Sequence, residues 1–160
     1  MITRFVSIDA STKKTGICLL ENGKLTEYRL LDHSEIEDVE ERIKVMSLDI
    51  IRQLNLWKPH IVYIEDSWSK FNVATTKLLT RVMGVTYGWA LTNNCEWNCI
   101  IPSRWRKLAG IEQGKKKRQE LKQASIDYVK NKYGIDVNDD VADCIAMGDA
   151  VCNFYNLISN

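Results

Sequence analysis

The chain has 160 residues, a mass of 18.5 kDa and a formal net charge of +1, with 45% hydrophobic and 27% charged residues. That balance fits one ordinary globular unit, 1–160, large enough to bury a core without disulfides or structural metal. Two prolines and eight glycines exclude collagen-like or proline-rich chains, and no apolar run nears the ~20 residues of a membrane-spanning helix.

Residues 5–8 read as a short apolar strand ending at Asp9. Residues 16–20 and 25–30 read as two more strands, joined by Asn22-Gly23, a pair suited to a turn with positive φ at both positions. Ile36, Val39, Ile43, Met46, Ile50 and Leu54 then recur every three or four residues, the period of an amphipathic helix. Its first turns are acidic, where the helix dipole favours negative charge. Residues 61–64 form a buried strand ending at Glu65-Asp66, and a helix is expected over 71–92. That helix is apolar on more than one face, which implies burial on two sides. Gly84 and Gly88, one turn apart, would admit a second helix, either on the chain's own sheet or across a dimer. A fifth strand is expected over 98–101, and a short helix over 103–109, capped by Ser103. Two further helices are expected over 115–132 and 139–158, the latter with a buried stripe of Val141, Cys144, Ile145, Gly148, Val151, Cys152 and Tyr155. Strands first paired in a hairpin and then alternating with helices give an α/β chain with a mixed sheet.

The five cysteines are odd in number and form no CxxC pair, and the two histidines lie far apart. Both facts argue against a disulfide framework or a Cys/His zinc site and for a reducing compartment. Charge is uneven along the chain. Residues 32–49 carry seven acidic residues against Arg42 and Lys44, whereas Arg104, Arg106, Lys107, Lys115, Lys116, Lys117, Arg118 and Lys122 cluster in one segment. A basic segment in a balanced chain suggests a polyanionic partner, although a solvated helix face gives the same pattern.

Asp9 and Glu65 end two strands, and Asp140 and Asp143 share one face at the start of the last helix. If the two strands are parallel neighbours, all four carboxylates converge on one sheet edge. Oxygen donors of this kind suit hard divalent cations, and two such ions support phosphodiester hydrolysis. Each residue also has a plain structural reading. Asp9 fits a turn, Glu65 a strand end, and Asn138 or Asp139 a helix cap, with Asp140 serving the dipole. The combination with a basic segment favours a metal-dependent nuclease.

The segments Ser7-Ile8-Asp9-Ala10-Ser11 with Lys14-Thr15-Gly16, Tyr63-Ile64-Glu65, and Asp140-Val141-Ala142-Asp143-Cys144-Ile145-Ala146 appear in order over nearly the whole chain. Together they resemble the RuvC-type Holliday junction resolvases of the RNase H-like superfamily. The stretch Ile101-Pro102-Ser103-Arg104-Trp105-Arg106-Lys107 resembles the bacteriophage members in particular. Ala10-Ser11 and Cys144 depart from the usual pattern, but no carboxylate is lost. The resemblance implies an RNase H-like fold, a five-stranded mixed sheet flanked by helices. It also implies a homodimer, paired nicks across four-way DNA junctions, and two Mg²⁺ ions (Mn²⁺ substituting) at Asp9, Glu65, Asp140 and Asp143. It further implies an aromatic contact to unpaired bases at Trp68 and a lysine at the scissile phosphate. By register that lysine is Lys116, with Lys115 and Lys117 as rivals. Arg118 and Lys122 would bind phosphates further along the arm, with Arg104, Arg106 and Lys107 as additional DNA contacts. The expected setting is cytoplasmic, that of a bacterial host cell if the chain is phage-encoded.

Other readings are an RNA-processing nuclease of the same superfamily, a catalytically inactive branched-DNA binder, and an ATP-binding actin-like protein. The last needs two such domains, and 160 residues supply one.

Overall fold

Strand β1 (Arg4–Asp9) buries Phe5, Val6, Ser7 and Ile8 in succession, so both of its faces are covered and it belongs mid-sheet. β2 (Lys14–Glu21) and β3 (Lys24–Asp32) extend the sheet antiparallel on one side. β4 (Ile61–Glu65) and β5 (Glu96–Ile100) extend it parallel on the other, giving the order β3-β2-β1-β4-β5. The computed structural model describes residues 2–66 and 72–155. The Asn22-Gly23 turn has φ of 50° and 75°, as a two-residue hairpin requires.

Helices α1 (Val39–Trp57) and α2 (Val73–Thr92) cover one face, where Ile43, Met46, Ile50 and Leu54 meet Val6, Ile8 and Ile64. Asp38 caps α1 by accepting from Glu41 N at 2.7 Å, ahead of acidic Glu40 and Glu41. The expected burial of α2 on two sides does not occur. Val82, Thr86, Trp89 and Ala90 are buried, whereas Gly84 and Gly88 face open space. Its apolar content exceeds what α1 and β5 cover.

Helices α3 (Pro102–Leu108), α4 (Arg118–Tyr133) and α5 (Asp139–Phe154) cover the other face. α3 starts at Pro102, with Ile101 in the capping position and no side-chain cap, so Ser103 lies inside the helix rather than capping it. Proline suits a first helical turn, where its missing N–H costs nothing. α4 starts at Arg118, three residues later than the periodicity suggested, so Lys115, Lys116 and Lys117 lie in the preceding loop.

α5 is more deeply buried than its predicted stripe. Every residue from Val141 to Cys152 is buried, because the sheet covers one side and α3 and α4 cover the rest. Two glycines allow this. A Cβ on Gly16 of β2 would overlap the Asp140 carbonyl, and one on Gly148 would lie 2.8 Å from Leu20 Cδ1 and 2.9 Å from Ser7 Cβ. On the far side, the buried Asp149 accepts from Tyr128, Lys132 and, at 2.9 Å, Tyr133, which clamps α4 onto α5. Among the described residues no helix is long and apolar enough to cross a membrane.

Candidate active site

Ile8 pairs with Ile64 in parallel register, so Asp9 and Glu65 follow on neighbouring strands at one sheet edge. Their side chains leave the α5 face, because Phe5 and Tyr63, at the same parity, pack with that helix layer. Asn138 caps α5 by accepting from Val141 N at 3.0 Å. The cap sets the first turn against Gly16, and Asp140 and Asp143 then face the strand ends. All four carboxylates line one cleft of about 560 Å³ with Arg106, Arg118 and Lys122.

The β1–β2 loop at the cleft floor is braced without Asp9. Ser11 Oγ accepts from Lys13 N and Lys14 N, both at 3.1 Å, and Thr15 Oγ1 accepts from Ser11 N at 3.2 Å. The buried Arg42 adds an outer tie, donating to Thr12 O at 2.9 Å and Ile36 O at 2.7 Å. The turn reading of Asp9 thus belongs to Ser11 and Thr15.

The cleft concentrates negative charge. Burial lifts the Asp9 carboxyl well above the usual carboxylate range, and Glu65, Asp143 and Asp140 lift it further against Arg106. Asp143 is pushed up to about 6 by burial, with Ser125 and Arg106 opposing and Glu65 and Asp139 adding. Burial and the charge of Asp139 also raise Asp140. Burial acts on Asp139 as well, but its ion pair with Lys122 prevails and holds it low. Asp139 thus has a partner in Lys122 and also lines the cleft, while the charge of Asp140 acts on Asp9.

Glu65 Oε2 accepts from Trp105 Nε1 at 2.7 Å, and Asp143 Oδ2 lies 4.0 Å from Arg106 Nη2. Among the described residues no three His, Cys, Asp or Glu side chains stand close enough to share an ion in this arrangement. The donor set nevertheless suits one. Asp143 Oδ1 is buried with no hydrogen-bond partner, and so is Arg106 Nε. An unpaired buried acceptor beside mutually repelling carboxylates is the environment that a hard cation relieves.

Of the sequence-predicted basic residues, Arg106, Arg118 and Lys122 line the cleft. Lys115, Lys116 and Lys117 are exposed on the loop before α4 and are not among its lining residues. Lys107 points to solvent, and Arg104 donates to Tyr155 Oη at 3.2 Å. Trp68 lies outside the described residues. Sequence reasoning gave Trp105, in the seven-residue α3, no role of its own. It also missed the role of Gly16 and the brace made by Arg42.

No family model matches the sequence, and no curated protein matches it either. Solved structures do. T. thermophilus RuvC in complex with a Holliday junction substrate aligns with a TM-score of 0.77 at 13% identity, over 96% of this chain and 95% of that one. The chain has the RuvC fold. A second Thermus thermophilus RuvC structure aligns with a TM-score of 0.73, again at 13% identity and over 96% of both chains. The yeast mitochondrial Holliday junction resolvase Ydc2 gives 0.63 at 16% identity, over 98% of this chain and 80% of that one. The RuvC fold is thus present from the first strand to the last helix, as an RNase H-like mixed sheet of five strands. In this RuvC-fold chain α3 places Arg106 at the cleft wall and the buried Trp105 behind Glu65.

Proposed function

We propose that the chain is a metal-dependent endonuclease that resolves four-way DNA junctions, with residues 1–160 forming one nuclease unit. One observation carries this reading. Asp9, Glu65, Asp140 and Asp143 line a single cleft whose other wall is Arg106, Arg118 and Lys122. Carboxylates beside cations form a site that holds divalent ions on one side and phosphates on the other. Similarity of fold to a RuvC in complex with a Holliday junction substrate supports the substrate class.

The four carboxylates would hold two Mg²⁺ ions, with Mn²⁺ substituting. Such ions, if bound there, would supply an activated water and stabilisation of the leaving oxygen. The protein's part is to fix the carboxylates on two strand ends and one helix, and to hold the strand's phosphates. Arg106 brings a guanidinium into the cleft, suited to a phosphate oxygen. Arg118 and Lys122 extend that wall along the DNA arm, and Lys115, Lys116 and Lys117 continue it on the adjoining loop. Lys116 is the candidate for the scissile phosphate, and Arg104 and Lys107 are outlying contacts. Trp68, three residues after Glu65, is proposed to stack on bases at the crossover.

A homodimer completes the reading. On α2, Val73, Tyr87 and Leu91 are 61%, 48% and 65% exposed, and Gly84 and Gly88 between them leave room for a close helix. A two-fold pair would give one cleft per opposing strand of the junction.

The test is incubation of purified protein with labelled immobile junction, fork, linear DNA duplex and RNA duplex, with and without Mg²⁺. Paired cuts in the junction that require Mg²⁺ are expected. Cutting confined to RNA would favour an RNA-processing enzyme, and binding without cutting would favour an inactive junction binder.

A further inference from the structure

Five tryptophans are spread over the chain, and three of the described ones find different partners for their single N–H donor. Trp89 donates to Asn55 and Trp97 to Thr86, both neutral side chains. Trp57 Nε1 is buried with no partner, so this fold tolerates an unsatisfied indole. Trp105 alone among the described tryptophans donates to a carboxylate, Glu65 Oε2 at 2.7 Å, and its side chain is fully buried.

We propose that Trp105 is the positioning residue for Glu65, its indole N–H fixing the carboxylate at the end of β4 and thereby setting the site's affinity for divalent cations. The inference rests on the nuclease reading above. Packing alone does not require the N–H, since a phenylalanine ring fills an apolar site with no polar atom to satisfy. The neutral donor has a specific merit. It orients the carboxylate without bringing a positive charge of its own beside it, unlike a lysine or arginine. The fold separates the two functions on adjacent residues. Arg106 lies over the Trp105 ring at 4.8 Å and faces Asp143, with Nη2 4.0 Å from Oδ2.

The mount is rigid. Asp66 N, next to Glu65, donates to Ile100 O at 2.9 Å, tying the end of β4 to the strand that leads into α3. α3 begins two residues after Ile100 with a proline of fixed φ, and Trp105 N donates to Ile101 O at 3.3 Å. Donor and acceptor are therefore set by neighbouring strands, without a flexible loop between them.

Trp105→Phe in the full chain removes the N–H and keeps most of the ring. Calorimetric titration with Mn²⁺, without DNA, should show affinity weakened about 10–100-fold, the usual cost of losing such an outer partner. Junction binding in EDTA should be unchanged, and raised Mg²⁺ should rescue cleavage. Equal Mn²⁺ affinity in parent and variant, with only a lowered Tm, overturns this inference and leaves the nuclease reading standing. A parent that takes up no Mn²⁺ overturns both. If the variant does not fold, the parent decides. Its Trp105 indole ¹H–¹⁵N resonance, assigned by contacts to Glu65, should move on adding Mg²⁺, and a stationary resonance overturns the proposal.

Discussion

Asp143 carries the clearest electrostatic signature in the cleft. Its carboxyl is pushed up to about 6 by burial, above the ~4 of an unfolded aspartate. The folded state therefore binds this proton more tightly than the unfolded state. The associated stability is present below about pH 4 and is lost as pH rises through about 6. In EDTA, Asp143→Asn should thus raise Tm at pH 8 and leave it nearly unchanged at pH 4, a difference of up to about 3 kcal/mol. Adding Mg²⁺ at pH 8 should raise the Tm of the parent and not that of the variant. Equal melting of parent and variant at pH 8 without metal would refute the assigned burial cost. The carboxylates were legible in the sequence because each ends a strand or opens a helix, where geometry alone brings them to one edge. Trp105 was not, because a hydrogen bond between β4 and α3 depends on how neighbouring elements pack.

Among the elements, α5 decides whether the site forms. Its approach to the sheet needs Gly16 and Gly148, since added Cβ atoms would meet the Asp140 backbone and Ser7 with Leu20. Gly16→Ala should cost about 1–3 kcal/mol by overpacking, and it should reduce cleavage more than the Tm shift explains, because the clash falls at Asp140. Gly148→Ala, two turns further along, should lower Tm with a smaller effect on cleavage. Thermal melts beside junction assays separate the two. Periodicity made α5 readable as a helix but showed only one buried stripe. The residues on its far side, Ala142, Ala146 and Asp149, are buried because α4 lies there, held by Tyr128, Lys132 and Tyr133. The same limit explains Lys115, Lys116 and Lys117, which continue the helical pattern of α4 but precede its first turn. Neutralising all three should lower the log–log salt slope of junction binding by about 0.9 for each phosphate they neutralise in the parent. An unchanged slope would assign the loop to solvent alone. Lys116→Ala alone should reduce cleavage more than binding if it reaches the scissile phosphate.

For the molecule as a whole, the mixed sheet was legible once the hairpin and the strand–helix alternation were recognised, and the RuvC fold agrees with it. The face of α2 was misread as doubly buried, because a sequence records apolar content and not what covers it. Its exposed Val73, Tyr87 and Leu91 predict a particle of twice the 18.5 kDa chain mass in light scattering, and Leu91→Arg should return it to one chain. A parent that stays at one chain mass while resolving junctions would refute the dimer. The central claim is that the carboxylate cleft cuts branched DNA with divalent metal. Its most direct test is single-turnover cleavage of a labelled four-way junction in Mg²⁺ by the parent, Asp9→Asn and Glu65→Gln. The account predicts paired cuts by the parent and a loss of orders of magnitude in both variants, with junction binding in EDTA at least as tight as the parent's. Cleavage by either variant at the parental rate would contradict it.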